Sequence, residues 1–209
     1  MEGAVKAAIR VLTLLVLLAG GTAGAADTSG LNPIDQTMGS PDAKLTIIEY
    51  ASLTCPHCAH FHETMLPRMK AEWIDTGKAR LIYRDFPTSP QALAVGAAMV
   101  DQCAGNDRYF GVLGLLFQTQ EKWVTAPNPL AEIKRIVRVA GITAADVDAC
   151  LERQDLAGAI QARAMEGNKK YGIDSTPSLV IDGKLYPAFE SYEKLDYALQ
   201  DAWRAVSKK

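Results

Sequence analysis

The sequence has no excess of basic residues: 22 Lys and Arg stand against 24 Asp and Glu, a net charge of -2. It therefore lacks the electrostatic footprint of a nucleic-acid binder. It also has no long apolar run, since the stretch from Val11 to Ala19 is too short to cross a bilayer comfortably. No cysteine lies near the end of that stretch, so a lipid would have no attachment point there. Internal repeats and low-complexity tails are missing too. What remains, with 48% hydrophobic and 22% charged residues over 209 positions, has the composition of an ordinary globular chain of one or two domains.

The N-terminus is distinctive. Lys6 and Arg10 precede the apolar run, and Gly20-Gly21-Thr22-Ala23-Gly24-Ala25-Ala26 follows it. A positive region, a short apolar region and a small-residue cleavage site are the three parts of a secretory signal. Residues 1–26 are expected to be a signal peptide, cleaved after about Ala25 or Ala26. All four cysteines, Cys55, Cys58, Cys103 and Cys150, lie in the mature part. An even number of them would then sit where disulfides persist.

Along the mature chain, a polar leader with Pro33 and Pro41 gives way to Leu45–Tyr50, a β-branched and aromatic run that reads as a buried strand. A helix from about Cys55 to Trp73, with a kink at Pro67, and a second strand from Ala79 to Arg84 complete a βαβ unit with a parallel pair. From Pro90 to about Tyr171 the periodicity is helical. Leu93, Gly96, Val100 and Cys103 form one apolar stripe, and Ile133, Ile136, Val137 and Ala140 another. Thr143 to Asp146 fits a capping box with Asp in the acidic position. Ser178–Ile181 and Lys184–Tyr186 read as strands joined by the hairpin turn Asp182-Gly183, and Ser191 caps a final helix. The expected class is α/β, with a sheet domain in two parts, 27–89 and 171–209, and a helical domain inserted at 90–170.

The chemistry is concentrated in Leu53-Thr54-Cys55-Pro56-His57-Cys58-Ala59-His60-Phe61-His62, which holds all three histidines of the chain. Cys55 falls where a strand ends and a helix begins, so its sulfur faces unpaired backbone N–H groups and the positive end of the helix dipole. Pro56 suits a first turn that needs no N–H. His57, when protonated, adds positive charge near the sulfur. Each feature lowers a thiol pKa. Cys58 lies one turn on, within bridging distance, which makes Cys55 the nucleophile and Cys58 the buried resolving thiol.

These residues carry a resemblance. Cys55-Pro56-His57-Cys58 after a strand, Glu49 six residues before it, the run from Ile74 to Pro87 and the distant Thr176-Pro177 together resemble the DsbA-like thiol:disulfide oxidoreductases. The resemblance spans about Asp35 to Trp203. It implies a thioredoxin-like fold with an inserted all-helical domain and exchange chemistry at Cys55–Cys58, without a cofactor. It also implies a cis-proline at Pro177, with Thr176 pairing its backbone with substrate, and a buried Glu49 that relays the proton of Cys58. By the same analogy the substrates are reduced proteins with cysteine pairs, the reoxidising partner is a membrane quinone-linked oxidase, and the location is the periplasm. Thr176 before the proline leaves an isomerase or reductase open. Against an isomerase, only about twenty mature residues precede the first strand, too few for a dimerisation module, so a monomer is expected.

A metal site is the rival reading. Cys55, Cys58 and His62 share an arc of the helix and could meet a soft ion. No other histidine and no second nearby thiol pair exists to complete a zinc site, so no metal is expected; His60 and His62 read as solvated or partly buried helix residues. Cys103 and Cys150 are either separate buried thiols or, as export favours, a structural disulfide. Closing about 47 residues, it would contribute roughly 4 kcal/mol in the chain-entropy account. Tyr83, Phe86, Tyr186 and Phe189 could line a peptide groove or pack in the core.

Overall fold

The computed structural model describes residues 33–208; the expected signal peptide lies outside them. Five strands form one sheet in the order β1-β3-β2-β4-β5. β2 (Leu45–Ala51) and β3 (Ala79–Asp85) are parallel, joined through α1 (Pro56–Thr64), α2 (Leu66–Met69) and a π-helical turn, Lys70–Ile74. β4 (Ser178–Ile181) runs antiparallel to β2, and β5 (Lys184–Tyr186) returns beside it through Asp182 and Gly183, both at positive φ. The other edge is β1 (Gln36–Met38), antiparallel to β3.

Between the parallel and antiparallel parts of the sheet the chain is helical. It runs through α3 (Gln91–Cys103), α4 (Tyr109–Gln118), α5 (Gln120–Val124), α6 (Pro129–Val137), α7 (Ala144–Leu151) and α8 (Gln154–Tyr171). α9 (Tyr192–Val206), capped by the Ser191 side chain, closes the described chain. The capping box at Thr143 and Asp146 opens α7.

Two departures from the sequence reading have local causes. β1 falls inside the segment read as a polar leader, and three residues are too few to show a period. The helix read as Cys55–Trp73 is broken at Met65, before the expected kink at Pro67. Proline has no N–H to donate and clashes with the preceding turn, so the interruption lies on its N-terminal side.

Alternation along β2 decides what each layer buries. Leu45, Ile47, Glu49 and Ala51 share one face, and Leu45 and Ile47 pack with Phe61, Met69, Leu195 and Leu199 of α1, α2 and α9. Ile48 and Tyr50 face the other way, toward Ile82, Ile173 and Val180. There α8 comes so close that a Cβ on Gly167 would lie 2.3 Å from Cε1 of Tyr50, so only glycine fits. A third cluster unites Leu53, Cys58 and Tyr83 with Val112, Leu116, Trp123 and Ile133, joining the helical block to the sheet directly behind the cysteine helix.

Candidate active site

Cys55 is the N-cap of α1, in extended conformation, and Pro56 occupies the first helical position. No side chain caps the helix, which leaves its first backbone N–H groups to the Cys55 sulfur. The Cys55 pKa is lowered to about 5, chiefly by a hydrogen bond from Cys58, with further donors in the Thr176 side chain and the backbone N–H groups of Cys58 and His57. Burial opposes the shift and loses.

Cys58, fully buried, goes the other way. Desolvation and the neighbouring Cys55 charge push its thiol far above the ordinary range, and the Ser52 N–H reaching its sulfur at 3.5 Å offsets little of this. Both are free thiols, so this is the dithiol form. His57 is exposed, and it contributes to Cys55 through its backbone rather than its ring.

The Thr176–Pro177 peptide is cis, and the Thr176 carbonyl lies 3.3 Å from Cys55 Sγ, where it accepts from the thiol form. A chain segment 121 residues away is thereby placed against the Cys55 sulfur. A second cis bond, Ser89–Pro90, opens the helical block, and nothing in the sequence pointed to it.

Glu49 is fully buried, and its immediate partner is His62, whose Nε2 lies 2.8 Å from Glu49 Oε1. On sequence alone His62 is only a weak metal ligand or a partly buried helix residue. The structure instead engages that imidazole with the carboxyl group, its ring tilted against Phe117 with the centroids 4.1 Å apart. Among the described residues, no three His, Cys, Asp or Glu side chains converge as a metal site would require.

Gln120 is a second residue that sequence reasoning passes over. Its buried amide donates to the carbonyls of Leu53 and Cys55 at 2.7 and 2.9 Å, fixing the loop that carries Cys55. Of the four aromatics weighed for a groove, Tyr83 is core, Phe86 packs edge-on to Tyr50, and Tyr186 stacks on Phe189 at the half-buried end of the sheet.

Behind the cysteine helix lies a knot of buried acids that the sequence did not announce. Asp85 and Asp101 are both buried beside the hydroxyls of Tyr83 and Tyr109. Desolvation raises the Asp85 carboxyl to about 6, against a hydrogen bond from Gln102 that lowers it, and holds Asp101 well above the usual range. A carboxyl group raised on folding keeps a proton that the unfolded chain has released. Its stabilising contribution is full below about pH 4 and is lost as pH rises through about 6. Asp85→Asn should flatten this slope and raise stability at neutral pH by up to about 3 kcal/mol. Urea midpoints measured from acid to neutral pH would show it; a variant as steep as the wild type would contradict the buried charge.

Comparison with known proteins agrees with this architecture. The family model described as thioredoxin matches residues 32–201. A Rickettsia bellii protein named as a protein-disulfide oxidoreductase is 29% identical over 150 residues, which is 71% of this chain and 57% of that protein. A Bacillus cereus protein whose name assigns it to disulfide bond formation is 27% identical over 168 residues, 76% of each. The Rickettsia relatives are longer, and the chain spans only about three fifths of their length. Among solved structures, Wolbachia pipientis alpha-DsbA1 superposes with a TM-score of 0.76 at 26% identity, covering 84% of this chain and 94% of that one. The chain belongs to the thioredoxin family, with the DsbA-like arrangement in which a helical block interrupts the sheet domain.

Proposed function

We propose that the protein is an exported thiol:disulfide oxidoreductase that donates its Cys55–Cys58 disulfide to reduced substrate proteins. The observation that carries this reading is the opposed titration of two thiols one helical turn apart, Cys55 lowered to about 5 and Cys58 raised. A stable thiolate stabilises the dithiol form, and whatever stabilises the dithiol makes the disulfide a stronger oxidant. In the proposed cycle a substrate thiolate attacks Cys55 Sγ and the electron pair of the broken S–S bond goes to Cys58. A second substrate thiol then resolves the mixed disulfide. Thr176 and Pro177 would hold the substrate chain beside Cys55, with Pro56 and the His57 N–H shaping the helix start. Glu49 would manage the Cys58 proton.

Several finer points belong to the same proposal. Residues 1–26 would direct export to the periplasm; the disulfide between Cys103 and Cys150 supports an oxidising location. The thioredoxin-like part would comprise 27–89 and 171–209, with 90–170 as the insert. The enzyme would act as a monomer, with a membrane quinone-linked oxidase returning it to the disulfide form.

Equilibration against glutathione ratios over a range of pH tests the direction of the chemistry. A donor should have a potential well above the glutathione poise, nearer the roughly -120 mV of DsbA than the roughly -270 mV of thioredoxin. Its slope should change near pH 5, from about 59 mV per pH unit below to about 30 above, because Cys55 no longer takes up a proton there. A potential at the thioredoxin end would make the protein a reductase or isomerase instead.

A further inference from the structure

The oxidoreductase reading leaves a proton stranded, and the role inferred for His62 rests on that reading. When the Cys55–Cys58 bond opens, Cys58 becomes a thiolate in a site that is fully closed to water. The acid of the proposed relay is equally closed: Glu49 is also fully buried, and its Oε2 has no hydrogen-bond partner among the described residues. A buried acid that has given its proton to Cys58 is left as a buried carboxylate for as long as the pair stays reduced, unless a route to water supplies another proton.

His62 has the geometry of that route. It lies four residues after Cys58, so the two share a face of α1, and that face covers the strand that carries Glu49. One imidazole nitrogen is 2.8 Å from Glu49 Oε1. The ring is held in one orientation by Phe117, and by edge contacts with Tyr83 and Phe61 at 6.0 and 5.9 Å. The same residue lines an open cavity of about 1020 Å³ between α1 and α4, walled by Ala59, Leu66, Gly111 and Gly114. Glu63 of α1, and Asp107 and Arg108 ahead of α4, are the charged groups at that cavity. The remaining titratable neighbour is Tyr83, opposite Glu49 in the strand register, whose hydroxyl feels the charges of both Glu49 and Cys58.

We infer that His62 is the solvent port of the buried acid, carrying protons between Glu49 and water in the α1–α4 cavity each time the active-site disulfide opens or closes. On opening, Cys58 takes the Glu49 proton, Nε2 of His62 donates its proton to Glu49, and Nδ1 takes one from cavity water. On closing, Nδ1 releases a proton to water, Glu49 returns one to Nε2, and Cys58 passes its own to Glu49. One opening and one closing restore the starting tautomer, so the relay resets without a ring flip.

The test uses the oxidised protein and a cysteine-containing peptide as reductant, with the opening rate followed against pH in wild type, His62→Gln and His62→Ala. Gln keeps an amide donor for Glu49 but cannot pass a proton through. It should slow opening at neutral pH by about 10²-fold and alter the pH profile, while the Cys55 thiolate still titrates near 5 by ultraviolet absorbance. In His62→Ala, free imidazole entering the cavity should restore the rate in proportion to its concentration. A His62→Gln enzyme with the wild-type rate and pH profile would overturn the port. So would a loss that is equal at every pH and that imidazole leaves untouched, since that is the behaviour of a packing residue. These results stay separate from the parent reading. Catalysis by a Cys55→Ser protein would defeat the oxidoreductase itself, whereas a Cys55-dependent enzyme indifferent to His62 would defeat only the relay.

Discussion

Cys55→Ser should reduce disulfide transfer by at least about 10³-fold, while Cys58→Ser should leave the enzyme able to attack but without an internal thiol to release what it has bound. The asymmetry follows from the two environments. At neutral pH Cys55, lowered to about 5, is almost wholly thiolate, lies at the helix N-terminus and retains 9% exposure. In the proposed cycle it would therefore be the sulfur a substrate reaches, and also the thiolate that attacks in the reverse direction. A serine hydroxyl there neither ionises near neutrality nor forms an S–S bond. Cys58 has no exposure, so Cys55 and not a substrate sulfur is its expected exchange partner. Without it, a mixed disulfide formed at Cys55 has lost its internal resolving thiol and should accumulate. Mass spectrometry of Cys58→Ser incubated with an oxidised substrate peptide should show a covalent adduct at Cys55, released by reductant. Adducts on Cys58 in a Cys55→Ser protein would reverse the assignment of roles.

How far the sequence disclosed this site depends on the range of the contacts. The cysteine pair is local: strand end, proline and helix start all fall within a few residues of Cys55, so propensity and spacing were enough to read it. The same holds for the Asp182-Gly183 turn and the Thr143 cap, whose partners are at most three residues away. Glu49 was legible as a buried acid only through resemblance, and its bond to His62 was not legible at all. Nothing in a helix period tells which strand residue a histidine will meet after the chain has folded back. Gln120 is harder still, because its acceptors lie 65 and 67 residues earlier and a glutamine on a short helix has no distinctive signal. Asp85 lies one residue past the strand read as Ala79 to Arg84 and has no signal of its own; the packing of α3 over it makes it a buried acid. β1 and Asp35 were absorbed into a polar leader for the same reason, since their partners are β3 and α8.

Asp35→Ala should cost about 3–5 kcal/mol of stability, the second of the large effects. Its carboxylate is fully buried and takes hydrogen bonds from two guanidinium groups that are themselves 4% exposed. Arg84 of β3 donates from Nε and Nη2 at 3.1 and 2.9 Å, and Arg163 of α8 from Nε at 2.8 Å and again from Nη2. Arg84 Nη1 also reaches the Tyr50 hydroxyl at 2.9 Å, and Arg163 also pairs with the half-exposed Glu166. Removing Asp35 would leave two buried positive charges facing each other, and the cost of desolvating them would no longer be offset by the central anion. The loss would be a large share of a typical domain's roughly 5–15 kcal/mol. Because Asp35 joins the segment before β1 to β3 and α8, the edge strand should loosen with it. Urea unfolding gives the magnitude, and hydrogen exchange at Gln36–Met38 gives the location. The cause can be separated from lost volume by adding Arg163→Met to the Asp35→Ala protein. If uncompensated charge is the main loss, the second substitution should restore part of the stability; if contact area is, it should subtract more.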